Sequence, residues 1–132
     1  MVDLFRRIWD REPIALGPRG EWVAARFLRG AGYRVVAKNL RNRFGEIDLL
    51  VETPDRRATV VVEVKAGRGG GLRPELRVNL AKQQRLVSLA AQLVRRYHLR
   101  HRAMRFDVIG VDLTTHGQPA IRHHVGAFES HV

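Results

Sequence analysis

Gly45-Glu46-Ile47-Asp48-Leu49-Leu50-Val51-Glu52-Thr53-Pro54-Asp55-Arg56-Arg57-Ala58-Thr59-Val60-Val61-Val62-Glu63-Val64-Lys65 is the stretch that decides the fold. Two runs rich in Val, Ile and Leu flank the cluster Thr53-Pro54-Asp55-Arg56-Arg57, which is the pattern of a β-hairpin. With the turn centred between Asp55 and Arg56, residues whose numbers sum to 111 face each other. Ile47 then meets Val64, Leu49 meets Val62 and Val51 meets Val60, so one face is apolar and turned to a core. Because side chains alternate along a strand, the other face pairs Glu46 with Lys65, Asp48 with Glu63 and Leu50 with Val61.

That second face is unusual. Leu50 and Val61 imply that it too is covered, yet Asp48 and Glu63 oppose each other on it. Like charges in a cross-strand pair destabilise a sheet by about 0.2–1 kcal/mol, and burial raises the cost. A divalent cation would turn this cost into a ligand set, since hard metals such as Mg²⁺ favour carboxylates. The plain alternative is a solvated face in a different register.

The chain has 132 residues, enough for one domain with a sizeable core, and 45% of them are apolar. It has no cysteine, which excludes disulfides and thiolate zinc sites. No apolar run approaches the length of a membrane span. The start, Leu4-Phe5-Arg6-Arg7-Ile8-Trp9, is too short and too charged for a signal peptide. A cytoplasmic protein with no membrane partner is expected. The formal net charge is +11. From Lys65 to Arg105 eleven basic residues stand against a single acid, Glu75. That concentration favours a polyanion, with DNA or RNA ahead of anionic lipid, and DNA is the expected partner of the two. Arginine-rich surfaces throughout would be the bland explanation.

Residues 1–17 read as a mobile arm or short docking helix before a single domain. Pro18 to Ala31 is expected to be a helix with Val23, Ala24, Phe27, Leu28 and Ala31 in its buried stripe and Glu21 at the stripe's edge. Tyr33 to Val36 is a strand, and Asn39 to Phe44 a polar connection. After Lys65, Gly67-Arg68-Gly69-Gly70-Gly71 forms a basic glycine loop without the Gly-Lys-Ser/Thr of a phosphate-binding loop. A long helix is expected from Pro74 to His98, burying Leu86, Val87, Ala90, Leu93, Val94 and Tyr97. Lys82 lies on the margin of that stripe, whereas Arg85 and Arg96 face away. Met104 to Leu113 and Ala120 to Val125 complete the strands. The histidines show no metal-binding spacing and are expected to face solvent.

In that order, Gly20-Glu21, Ala24, Leu28, Gly32-Tyr33, Asn39, Arg41, Gly45-Glu46-Ile47-Asp48, Val62-Glu63-Val64-Lys65, Lys82, Arg105-Phe106-Asp107-Val108, Ile121, His123 and Ala127-Phe128 resemble the YraN-like family. This is a group of small bacterial proteins of the PD-(D/E)XK nuclease superfamily, similar to archaeal Holliday-junction resolvases. The resemblance implies an α/β, restriction-endonuclease-like fold: a central mixed β-sheet flanked by helices in the order α-β-β-β-α-β-β. It implies Asp48, Glu63 and the Val64 carbonyl as ligands of Mg²⁺ or Mn²⁺, with Lys65 and Glu21 completing a catalytic set. Lys82 would contact phosphate. The chain departs from the family pattern in two places. Ile47 replaces the proline that names the motif, and Gly67 stands where an arginine is common, leaving Arg68 as its nearest substitute.

The sequence therefore points to a metal-dependent endonuclease for structured or damaged DNA, with Lys82, Arg68, Arg85 and Arg96 binding the nucleic acid. A nucleic-acid-binding module with little catalysis, or a protein-interaction domain in DNA processing, are the rival readings. Resolvases act as dimers on two-fold substrates, so a homodimer is compatible, although no interface can be read.

Overall fold

A computed structural model describes residues 11–43, 45–96, 103–114 and 117–129. Helix α1 spans Leu16–Gly30 and is followed by strands β1 (Arg34–Asn42), β2 (Gly45–Glu52) and β3 (Ala58–Gly67). A 3₁₀ turn, Pro74–Arg77, leads into helix α2 (Leu80–Arg96), and strands β4 (Ala103–Asp112) and β5 (Ala120–Phe128) close the chain. The five strands form one sheet in sequence order, antiparallel except for the parallel β3–β4 pair. A parallel neighbour needs a crossover, and α2 supplies it. The order α-β-β-β-α-β-β is the one expected.

Each helix covers one face of the sheet. Val23, Ala24, Ala25 and Leu28 of α1 pack with Leu49, Val51, Val60, Val62, Val64, Ile109 and Val111. Leu86, Leu89 and Ala90 of α2 pack with Ile47, Leu50, Val61 and Phe106. Since β3 is covered on both sides, its run Thr59 to Val64 is apolar on both faces apart from Thr59 and Glu63.

Several elements depart from the expected pattern, each for a physical reason. Helix α1 begins at Leu16, inside the segment expected to be an arm, and Ala25 rather than Phe27 lies in its buried stripe; Phe27 is exposed. Strand β1 continues to Asn42 because β2 draws its polar half into the ladder as an edge strand. The long second helix is broken at Val78–Asn79. Asn79 Oδ1 accepts the Lys82 N–H at 3.0 Å, making Asn79 the N-cap of a helix separate from the 3₁₀ turn. Strand β5 runs on to Phe128, whose ring stacks on Phe106. Of the expected α2 stripe, Tyr97 and the Val94 side chain lie outside the described residues, as do residues 1–10, Phe44 and His98.

The hairpin register is the expected one: Leu49 pairs with Val62, Leu50 with Val61 and Val51 with Val60. Ile47 is the exception, for it joins the α2 face and not the face of Leu49 and Val51. The ladder with β3 ends at Leu49, and Asn39, opposite Asp48 in the β1 register, adopts φ 49°. The left-handed residue interrupts the pleat of β1, and beyond the end of the ladder the alternation of β2 does not carry through to Ile47.

One close approach sets the height of α1 above the sheet. A Cβ at Gly20 would stand 2.5 Å from Ala66 Cβ, so only glycine lets the helix lie this near β3. Gly20→Ala is expected to lower stability by about 1–3 kcal/mol through overpacking. Gly17→Ala, which meets no atom within 4 Å, should leave stability level or raise it by a few tenths. Thermal melts of both variants check this; equal melting temperatures would show that the close approach yields freely.

Candidate functional site

Acids from three elements converge where the β2–β3 ladder stops. The Thr53 N–H donates to the Ala58 carbonyl at 3.0 Å, so hydrogen-bonded pairs recur at 51/60 and 49/62, with 47/64 next. That last pair is absent from the ladder. The Val64 N–H donates instead to Asp48 Oδ2 at 2.8 Å, so a side chain takes the place of a strand partner. Asp48 is thereby held at the open end of the hairpin, next to Glu63. From α1, Glu21 shares a hydrogen bond with Asp48, and Glu46 of β2 adds a further negative charge.

The electrostatics are those of crowded acids. Burial, then the Glu63 charge, pushes the Asp48 carboxyl up to about 8, with Glu21 and Glu46 acting in the same direction. Glu21 is raised as well, first by burial and then by Glu46. Glu63 is almost wholly buried. Its Oε1 faces Lys65 Nζ at 3.6 Å and Lys82 Nζ at 3.4 Å, whereas Oε2 is buried with no hydrogen-bond partner. An orphaned buried carboxylate oxygen is rare and costly, and functional sites are where such atoms collect.

The structure brings Glu21, Asp48, Glu63, Lys65 and Lys82 together. Val64 enters through its N–H. Arg85 and Arg96 lie on the exposed side of α2, and Arg68 lines a shallow hollow with Leu16, Arg19 and Leu113, among no carboxylates. Close to Gly67, an arginine does stand at the end of β3: Arg77 Nη2 donates to the Ala66 carbonyl at 3.2 Å. Two further residues of the motif pattern, Asn39 and Glu46, join the site, although the sequence assigns neither a role. With its nitrogen turned to the acids, the Asn39 amide donates to Glu21 Oε2 and Glu46 Oε1 at 3.0 Å each. Its positive φ, which asparagine tolerates better than most residues, is what aims it there. Among the described residues no group of three acidic or histidine side chains is close enough to hold a metal ion as placed.

Two other buried acids contrast with this site. Asp107 accepts Arg105 Nε and Nη2 at 2.9 and 2.8 Å, the Gly126 N–H at 2.9 Å, and a hydrogen bond with His123 Nε2 at 2.7 Å. Burial would raise its carboxyl, but the bonds from His123 and Arg105 outweigh it and hold the group low. Glu75 takes Arg122 Nε and Nη2 at 2.6 and 2.9 Å and meets His124 Nε2 at 3.0 Å. Its carboxylate occupies the space a Cβ on Gly110 would fill. These bonds correct the expectation of solvent-facing histidines: His123 is largely buried, recruited by a carboxylate that needs partners.

A family model described as "Uncharacterised protein family UPF0102" matches residues 20–111. A UPF0102 protein of Nocardia farcinica is 40% identical over 121 residues, covering 91% of this chain and 92% of its own. One from Pelobacter propionicus is 40% identical over 114 residues, covering 86% and 81%. One from Myxococcus xanthus is 37% identical over 126 residues, covering 95% and 98%. Among solved structures, SfsA of Pyrococcus furiosus in complex with Ca²⁺ aligns with a TM-score of 0.36 and 14% identity, over 92% of this chain and 64% of that one. A likeness this slight carries no argument.

The two kinds of acid predict opposite pH windows. Asp48 has a folded value raised from 3.8 to about 8, so its contribution is fully present below 3.8 and is lost as pH rises toward 8. Glu75, held from 4.5 down to about 2 first by its bond to Arg122, contributes above 4.5 and loses that contribution as pH falls to 2. Asp48→Asn is therefore expected to raise the metal-free melting temperature by a few degrees, about 1 kcal/mol, at pH 8. Near pH 4 it should change little. Arg122→Ala is expected to act in reverse, costing on the order of 3 kcal/mol at pH 7 and far less at pH 2. Melts across pH 2–9 check both.

Proposed function

The chain belongs to the uncharacterised protein family UPF0102, the YraN-like family that its motifs resemble, and from that premise we propose that it is a metal-dependent endonuclease acting on structured DNA. The observation that carries the reading is the unsatisfied hollow. Glu63 Oε2 is buried without a partner, beside an Asp48 whose carboxyl is pushed up by burial and by the Glu63 charge. A hard divalent cation is the ligand whose charge would relieve both, and every donor here is an oxygen, as Mg²⁺ and Mn²⁺ require. Asp48 and Glu63 would hold it, with the Val64 carbonyl as a further ligand. Bound there, it would polarise a phosphoryl oxygen and lower the pKa of an attacking water.

The chain's own residues divide the remaining work. Lys65 and Lys82, now shared on Glu63 Oε1, are placed to meet the charge that develops on the phosphoryl oxygens. Glu21, hydrogen-bonded to Asp48, is placed to accept or hold a proton. Asn39 fixes Glu21 and Glu46 relative to each other. The basic excess, including Arg68, Arg85 and Arg96, supports DNA as partner, and binding through it is sequence-independent.

Mn²⁺ in hundredfold excess over its dissociation constant is expected to stabilise the parent by about 2.7 kcal/mol. It should also support cleavage of branched, flapped or single-stranded DNA that EDTA abolishes. Asp48→Asn should lose both effects and still bind DNA. A parent protein indifferent to Mn²⁺ in melting and in cleavage would overturn the nuclease and favour a binding module. Arg85→Glu combined with Arg96→Glu is expected to weaken binding to all sequences alike. Its log K versus log salt slope should fall by about 0.9 for each duplex phosphate that the protein no longer neutralises. Unchanged affinity would place the DNA-binding surface elsewhere.

A further inference from the structure

A cavity of about 240 Å³ lies between the β1–β2 pair and the C-terminal half of α2. Its floor is apolar: Leu40 and Ile47, opposite each other across the strands, face Leu89 and Leu93. One wall is a pair of amides, Asn42 Nδ2 donating to Gln92 Oε1 at 2.7 Å. Arg41 and Arg96 stand at the rim. Arg41 also reaches Glu46 at 3.4 Å, and Ile47 immediately precedes Asp48, so the cavity adjoins the acidic hollow along β2.

The chemistry of this lining is selective. The volume falls below the roughly 300–1,000 Å³ of pockets for drug-sized ligands and suits a single ring system. An apolar floor accepts a π-face, and the Gln92 amide nitrogen, whose oxygen is taken by Asn42, can donate to a heterocycle's edge. Guanidinium groups pair with phosphate or stack on a base. We propose that this cavity receives one unpaired nucleobase of the DNA strand whose backbone lies at the carboxylates. The proposal rests on the nuclease reading and deepens it. In intact duplex a base must first be unstacked and unpaired, whereas a bulge, flap or branch offers one at little cost. Discrimination for structured DNA then arises at Leu40, Ile47, Leu93 and Gln92, and the acidic hollow itself need not read structure.

The test uses the full chain carrying Asp48→Asn, so that DNA is bound without being cut. Affinity is measured at one fixed salt concentration for a duplex with a single-nucleotide bulge and for the same duplex without it. A fluorescent base analogue at the bulge reports whether that base moves into a new environment. The bulged duplex is expected to bind about tenfold more tightly, with a change in analogue fluorescence. Leu93→Trp, which fills the cavity, should abolish the preference and leave duplex affinity unchanged. Gln92→Ala, at an exposed position of α2, should reduce the preference roughly three- to tenfold. Equal affinity for both duplexes, or a preference that survives both substitutions, overturns the subsite while cleavage by the parent still upholds the nuclease. Absence of both DNA binding and parental cleavage overturns the two readings together.

Discussion

The backbone N–H of Val64 is given to a side chain, Asp48, where a sheet would ordinarily give it to a strand. Much else depends on that substitution. It ends the hairpin ladder at Leu49–Val62, turns Ile47 onto the α2 face, and leaves an opening at the end of the sheet that α1 and α2 flank. Gly20 lets α1 come close enough to Ala66 for the next residue, Glu21, to reach the same opening. The Asn79 cap starts α2 where Lys82 can reach Glu63. The hollow is thus the common end-point of four elements, each fixed by a local and nameable cause.

Buried carboxylates elsewhere in the molecule show what the fold does with an acid when nothing further is asked of it. Asp107 is given Arg105, His123 and a backbone N–H, and Glu75 is given Arg122 and His124; both groups are held low. The fold has no shortage of cations, with a formal net charge of +11. At Asp48 and Glu63 it withholds them. Lys65 and Lys82 both address one oxygen of Glu63, the other oxygen is orphaned, and Asp48 is hydrogen-bonded to another acid. Among the described residues Glu63 Oε2 is the buried carboxylate oxygen left without a partner, beside Trp22 Nε1 and Thr59 Oγ1 as further unpartnered buried atoms, and a buried acid left short of donors is a candidate for a role outside the fold itself.

The hairpin and the sheet were legible because strand alternation and a turn with Pro54 and Asp55 leave few alternatives, although the ladder that was to set Asp48 opposite Glu63 ends one pair earlier, at Leu49–Val62. Glu21 was legible as an acid on the edge of an apolar stripe. The interruption at Asn39 was not, since a left-handed residue inside a strand follows from which side chains need donors, and those donors are distant in sequence. The same limit hid Arg105–Asp107–His123: a strand acid between Phe106 and Val108 says that a partner is required without saying which one comes. The split of the second helix at Asn79 was readable in principle. A capping asparagine shortly after Pro74 argues for a new start, but helical periodicity runs across it.

Charge separates binding from chemistry in this molecule. In the proposed reading a polyanion would be attracted by the arginines of the 65–105 segment over a range set by the Debye length, about 8–10 Å at ordinary salt. At the hollow the same polyanion meets Glu21, Glu46, Asp48 and Glu63, which repel it. In the proposed reading the two regions therefore answer to different variables: salt controls the arginine surface, and the divalent cation controls whether a phosphate can settle among the acids. On that reading DNA would be held without being cut. Lys65 and Lys82 would be the hinge of that arrangement, because both ammonium groups face the same oxygen of Glu63. A cation on Glu63 would weaken their hold on it by direct charge competition, freeing both ammonium groups for phosphate. Neutralising the acids and arming the lysines would then be one electrostatic event.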